Sequence, residues 1–436
     1  AVIISFLIAG IVCGAAVMCY AEFASMIPVA GSAYTFTYTT VGEIMAWIIG
    51  WDLILEMLMA GSVISKYWGV YLNDFMRLMG WNANTNLTFG SFHIDIAPII
   101  IVAFFTTLLV FGTKIGARVD GAMTVLKIAI VFFVVIVGFF YVKASNFTPF
   151  IPPSQPASTV EGSSAVTGVM TQPLWQFATG MTPSVYGVPG ILSGAALVFF
   201  AFIGFDVVAT ASEETKNPHK NVPLGIGVGM LLIIVMYMLV AVVTTGMVSY
   251  ADLAKQDSPS LATAFELVGA DWAAKIISFG IVLGLATVVM VLLLGLTRIV
   301  FAMSRDGLLP RGLSKTGKHG TPAALQIVVG AVVALVAAFF DIGVLSDMVN
   351  IGTLSAFTLV AISIPIMRKK RPDLPRAFKM PGSPWIPILI AVANFWLMLN
   401  LSVLTWIRFV VWLVVGFAIY FGYGYWHARL GKGDLT

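Results

Sequence analysis

A chain of 436 residues that is 59% hydrophobic and only 10% charged cannot hide its apolar surface inside a water-soluble fold of that size. The net charge is +4, and the only cysteines, Cys13 and Cys19, share one apolar run, so neither a disulfide framework nor metal-ligand spacing is present. His93, His219, His319 and His427 fall in or near polar connections, which argues against a haem or metal cluster within the membrane.

The apolar runs are long and unbroken, unlike the roughly ten-residue alternations of a barrel, so the expected fold is all-α and membrane-embedded. Eleven spans are predicted in chain order: 1–20, 42–70, 94–112, 122–143, 190–212, 223–248, 271–302, 322–340, 344–367, 384–404 and 406–430. Each supplies about the twenty apolar residues that a bilayer core requires. The chain opens on Ala1 within an apolar stretch, which reads as a span whose upstream part lies outside this sequence. In the second span, Asp52 and Glu56 are four residues apart and share a helix face. The fourth span holds Lys127 on its cytoplasmic half. A connection rich in Pro, Ser and Thr follows at 144–190, too long for a tight turn. The fifth span is interrupted near its middle by Gly204 and Asp206.

Basic residues orient the spans. Alternate connections collect Lys114, Arg118, Lys216, Lys220, Arg305, Arg311, Lys315, Lys318, the run Arg368 to Arg371, Arg376, Lys379, Arg429 and Lys432. The other set holds Arg77, Lys143, Lys255, Lys275 and Arg408. The positive-inside rule makes the first set cytoplasmic, with the C-terminus inside the cell membrane. Gly312 to Lys318 has the spacing of a phosphate-binding loop, but His319 stands where a magnesium-binding hydroxyl belongs and no strand precedes it. It reads as a solvated loop, and neither a nucleotide nor a nucleic acid is an expected partner.

Ionisable groups at membrane depth are costly and need protein, water or a counter-charge beside them. Lys127 either snorkels toward the cytoplasm or sits within the bundle as a cation, and Glu56 pairs with a cation, carries a proton or hydrogen-bonds a polar neighbour. Around Phe199 to Asp206, a glycine-weakened helix would free carbonyls for a substrate ammonium, and a half-helix N-terminus would suit a carboxylate. Together these suit a zwitterion.

Tyr20 to Phe23 with Pro28 to Tyr34, Gly204-Phe205-Asp206 followed by Ser212 to Pro218, and Ala302 to Pro310 resemble the amino acid–polyamine–organocation superfamily, most closely bacterial members of the cationic amino acid transporter branch. The resemblance implies a LeuT-like fold of two inverted five-helix repeats plus two helices, in a single transport domain over 1–436. The first repeat would run through 1–143, the second through 190–367, and the two extra helices through 384–430. Twelve spans would be expected, the first lying ahead of Ala1. It further implies proton-linked alternating access in a secondary transporter, with no enzymatic activity and no cofactor besides the coupling proton. Phe200, Ala201, Phe202, Ile203, Gly204 and Phe205 would form the unwound substrate stretch, with Met290 lining the side-chain pocket. Lys127 would take the place of a sodium ion, and Glu56 and Asp206 would be the matching acids. An apolar pocket favours neutral aliphatic substrates, branched-chain amino acids among them. The rivals are an exchanger, a cationic amino acid or polyamine transporter and, in another class, a membrane sensor or channel. The lipid bilayer is the expected surrounding, and a small accessory subunit is left open.

Overall fold

A computed structural model describes residues 1–26, 34, 37–38, 42–81, 85–89, 92–112, 117–157, 168–204, 217–256, 259–317, 320–370, 372–373, 376 and 378–428. Within them the apolar runs are helical, because a backbone in hydrocarbon must satisfy its polar groups within its own segment. The main helices are α1 (Val2–Met26), α2 (Glu43–Leu78), α3 (Ile96–Val110), α4 (Ala117–Phe139), α5 (Gly187–Val198), α6 (Pro218–Met247), α7 (Asp271–Arg305), α8 (Ala323–Phe339), α9 (Ile342–Lys370), α10 (Trp385–Leu399) and α11 (Val403–Ile419). Each falls on one predicted span. Among the described residues, seven stretches are long and apolar enough to cross a membrane, and α3, α5, α8 and α10 are shorter apolar helices.

The helices pack in two groups. α1 packs on both α5 and α6, and α2, α3, α7 and α8 form a second set. α9 touches both groups, and α4 lies between α6 and α7. α2 and α9 are the most deeply buried of the long helices. Small residues permit the close crossings. A Cβ added at Gly50 of α2 would stand 2.8 Å from the Met303 sulfur of α7, and one at Gly416 of α11 would strike the Trp51 ring. Trp51 and Trp412 stack at 4.4 Å, and each indole N–H donates to the other's main-chain carbonyl.

The segment 144–190 carries a 3-10 turn at Ala144–Phe147, a six-residue helix at Leu174–Thr179 and a short pairing of β-residues Gln155–Pro156 with Ser184–Val185. Backbone bonds from Leu174 to the Leu401 carbonyl and from Val403 to the Gln172 carbonyl tie it to the connection between α10 and α11. Helix ends differ from expectation where tertiary partners intervene. α2 runs to Leu78, eight residues beyond the predicted end at 70, because its polar tail is occupied: Asp74 accepts from Ser260, and Arg77 donates to Glu266 at 2.7 and 2.8 Å.

Candidate functional site

α5 stops in mid-run. Its helix ends at Val198, a 3-10 turn covers Phe199–Phe202, Ile203 is extended at φ −71° and ψ 144°, and Gly204 takes φ 121°. No other residue reaches that φ without strain, which accounts for a glycine in an otherwise apolar stretch. The predicted span reached 212, but the regular helix is much shorter. Phe205 and Asp206 lie outside the described residues.

The freed carbonyls were expected bare, and they are not. Leu197 O accepts from the Asn350 side-chain amide of α9 at 3.2 Å. Ala201 O accepts from the Tyr237 hydroxyl of α6 at 2.6 Å, Phe202 O receives a weak contact from the Cys13 thiol of α1 at 4.0 Å, and Phe200 O accepts from Ile203 N at 3.2 Å. Past the end of a helix an oxygen loses the amide a further turn would supply, and side chains take over. A carbonyl has two lone pairs, so one donor does not exhaust the accepting capacity of such an oxygen. Rings enclose the turn: Phe202 stands 5.2 Å from Tyr237 and 6.4 Å from Phe6, while Phe199 is fully buried at 5.7 Å from Phe357. Higher on α5, Ser5 of α1 donates to Ile191 O at 2.9 Å. There a cavity of about 390 Å³ is lined by Ser5, Ile191, Gly194, Phe147, Tyr186 and Tyr250. It ends five residues before the break, about 7 Å along a helix.

Phe200, Ile203 and Met290 are partly buried against one apolar core, Met290 from α7. Glu56 and Asp52 are fully buried on α2, and Asp52 accepts from Ser355 of α9 at 2.7 Å. Lys127 is partly buried on α4, with its aliphatic stem against Gly284 of α7, six residues before Met290. α7 is therefore the common neighbour of the lysine's helix and of the acids' helix. Tyr237, Cys13 and Asn350 were not foreseen. Polar groups within spans were the available signal for Tyr237 and Asn350, whereas Cys13 stands in an apolar run that carries no such signal.

At the other end of α1 lies a charged cluster. Glu22 is fully buried and accepts from Arg368 Nε at 2.9 Å, from the Arg368 guanidinium at 2.6 Å and from Met380 N at 2.7 Å. Arg376 approaches it to 3.5 Å. Nearby on the chain, Tyr34 donates to Asp306 at 2.9 Å, joining the α1–α2 connection to the end of α7.

Over residues 1–423 the chain matches the family described as amino acid permease. It is 42% identical to the branched-chain amino acid permease BcaP of Bacillus subtilis, a similarity covering 98% of this chain and 87% of that relative. It is 38% identical to the methylthioribose transporter of the same organism, covering 99% and 87%. The vacuolar cationic amino acid transporter 2 of Arabidopsis thaliana is 36% identical over 85% of this chain and 54% of its own length.

Proposed function

We propose a substrate class and a transport cycle for this chain, which belongs to the amino acid permease family and is a multi-pass α-helical membrane transporter of amino acids, not an enzyme. The observation that carries the proposal is the break from Phe199 to Gly204, where an apolar helix gives up its internal bonds beside apolar side chains. A substrate ammonium fits the spare lone pairs of these carbonyls, and Phe200, Ile203 and Met290 offer an apolar wall to its side chain. Neutral aliphatic amino acids, branched-chain ones first, suit that wall. The branched-chain permease named above supports this choice.

The packing supports alternating access in a LeuT-like fold. α1, α5 and α6 make one group and α2, α3, α7 and α8 another, with α4 and α9 in contact with both, as rocking of one body against another requires. In this reading all eleven apolar helices cross the bilayer. The inverted repeats occupy 1–143 and 190–367, the added helices 384–430, and the C-terminus faces the cytoplasm of the cell membrane. Lys127, seated against Gly284, is the fixed cation that stands in for sodium and links uptake to protons. Glu56 and Asp206 are its candidate acidic counterparts.

The test is uptake of labelled leucine by proteoliposomes with and without an inward proton gradient. Saturable uptake competed by isoleucine and valine is expected, with the gradient stimulation lost in Lys127→Ala. Competition by arginine or methylthioribose alone would reject the substrate class, and gradient-driven uptake undiminished in the lysine variant would reject the coupling role.

A further inference from the structure

Ala201 sits in the 3-10 turn past the last residue of α5, where its carbonyl has no place in the helical ladder. Among the described residues no main-chain amide is bonded to that oxygen, so its direction is left to a side chain. The Tyr237 hydroxyl supplies the missing donor at 2.6 Å from thirty-six residues away. The hydroxyl is itself aimed, since its ring packs edge-on to Phe202 at 5.2 Å and against Phe6 of α1 at 5.9 Å. It is also uncharged, so it can orient the oxygen without repelling a cation nearby.

We infer that Tyr237 is a positioning residue for substrate recognition: it holds the Ala201 carbonyl so that the oxygen's second lone pair receives the ammonium of the amino acid. This rests on the reading that the break at Phe199 to Gly204 is the ammonium site. The consequence is chemical selectivity. With the carbonyl held, an α-amino acid is preferred over the 2-hydroxy acid of the same carbon skeleton, which brings no charge to the oxygen. With the carbonyl loose, that preference declines.

The experiment is leucine uptake in proteoliposomes at matched protein amounts, competed by 2-hydroxyisocaproate, in wild type and Y237F. KM for leucine should rise about three- to tenfold in Y237F, the worth of one hydrogen bond, with the maximal rate per protein little changed. The ratio of inhibition constants for hydroxy acid and amino acid should fall by a similar factor. If Y237F does not accumulate, Phe6→Leu keeps the hydroxyl but removes one of the rings that aim it, and should move the same ratio less far. A wild-type ratio in whichever variant accumulates overturns the role of Tyr237. A wild type that itself fails to prefer leucine over the hydroxy acid would instead overturn the ammonium site.

Discussion

The waist of α5 and the C-terminal end of α1 are held in opposite ways. At the waist, the described contacts to Leu197, Ala201 and Phe202 are neutral and single, and each comes from a different helix. At the end of α1, one buried carboxylate gathers charge-assisted bonds from Arg368 together with a main-chain amide, and Arg376 stands close by. A neutral bond contributes about 1 kcal/mol net and can be traded for another partner, such as a ligand. A buried ion cluster cannot be opened one bond at a time, because each charge left behind is uncompensated. The first arrangement suits a place that must rearrange around a substrate, the second a place that stays closed until the whole cluster yields.

The sharpest way to break this contrast is Glu22→Gln. It strands Arg368 and the nearly buried Arg376 beside a neutral amide, and should cost about 3–5 kcal/mol. Thermal unfolding of the purified protein in detergent should show a large drop in midpoint, and a wild-type midpoint would erase the distinction. Next comes Gly204→Val, which forces a β-branched residue to φ 121° at a strain of about 1–3 kcal/mol. Because the waist is loosely held, the expected result is at least a several-fold fall in uptake with a smaller change in unfolding midpoint than Glu22→Gln produces. An unchanged uptake rate would show that the break is not needed.

The smallest effect is expected at Tyr34, in the connection that follows α1. Burial first, and the adjacent Asp306 carboxylate second, push its phenol well above the ordinary range. A raised phenol pKa favours the neutral donor in the folded state, so its contribution holds at low and neutral pH and is lost only as pH rises into strongly alkaline conditions. Tyr34→Phe should therefore lower the midpoint modestly, by the same amount at pH 6 and pH 9. A difference that widens between those two values would show that another group governs this corner.

Much of the architecture was readable from local pattern. The apolar runs became helices, because hydrocarbon admits only helices and closed barrels and these runs are too long and unbroken for barrel strands. The glycine at 204 also pointed to its break, since a glycine near the middle of an apolar span weakens the helix there, and only the structure added that its φ is positive. Extents were less legible. The tail of α2 continues to Leu78 only because Ser260 and Glu266, far along the chain, meet Asp74 and Arg77. Glu22 was visible as part of a familial motif and Arg368 as an orienting charge, yet nothing in either stretch said that they meet.

Composition and the lengths of the apolar runs determined by themselves that this protein lives in a bilayer as a set of helices, since the cost of exposing polar backbone to lipid depends on each segment alone. Tertiary structure decided what becomes of the freed carbonyls of α5. Their donors, Tyr237, Asn350 and Cys13, lie 36, 153 and 189 residues from the oxygens they serve. A hydrogen bond acts over about 3 Å of space, and the packing of separate helices, which no local periodicity records, sets which side chains come within that reach.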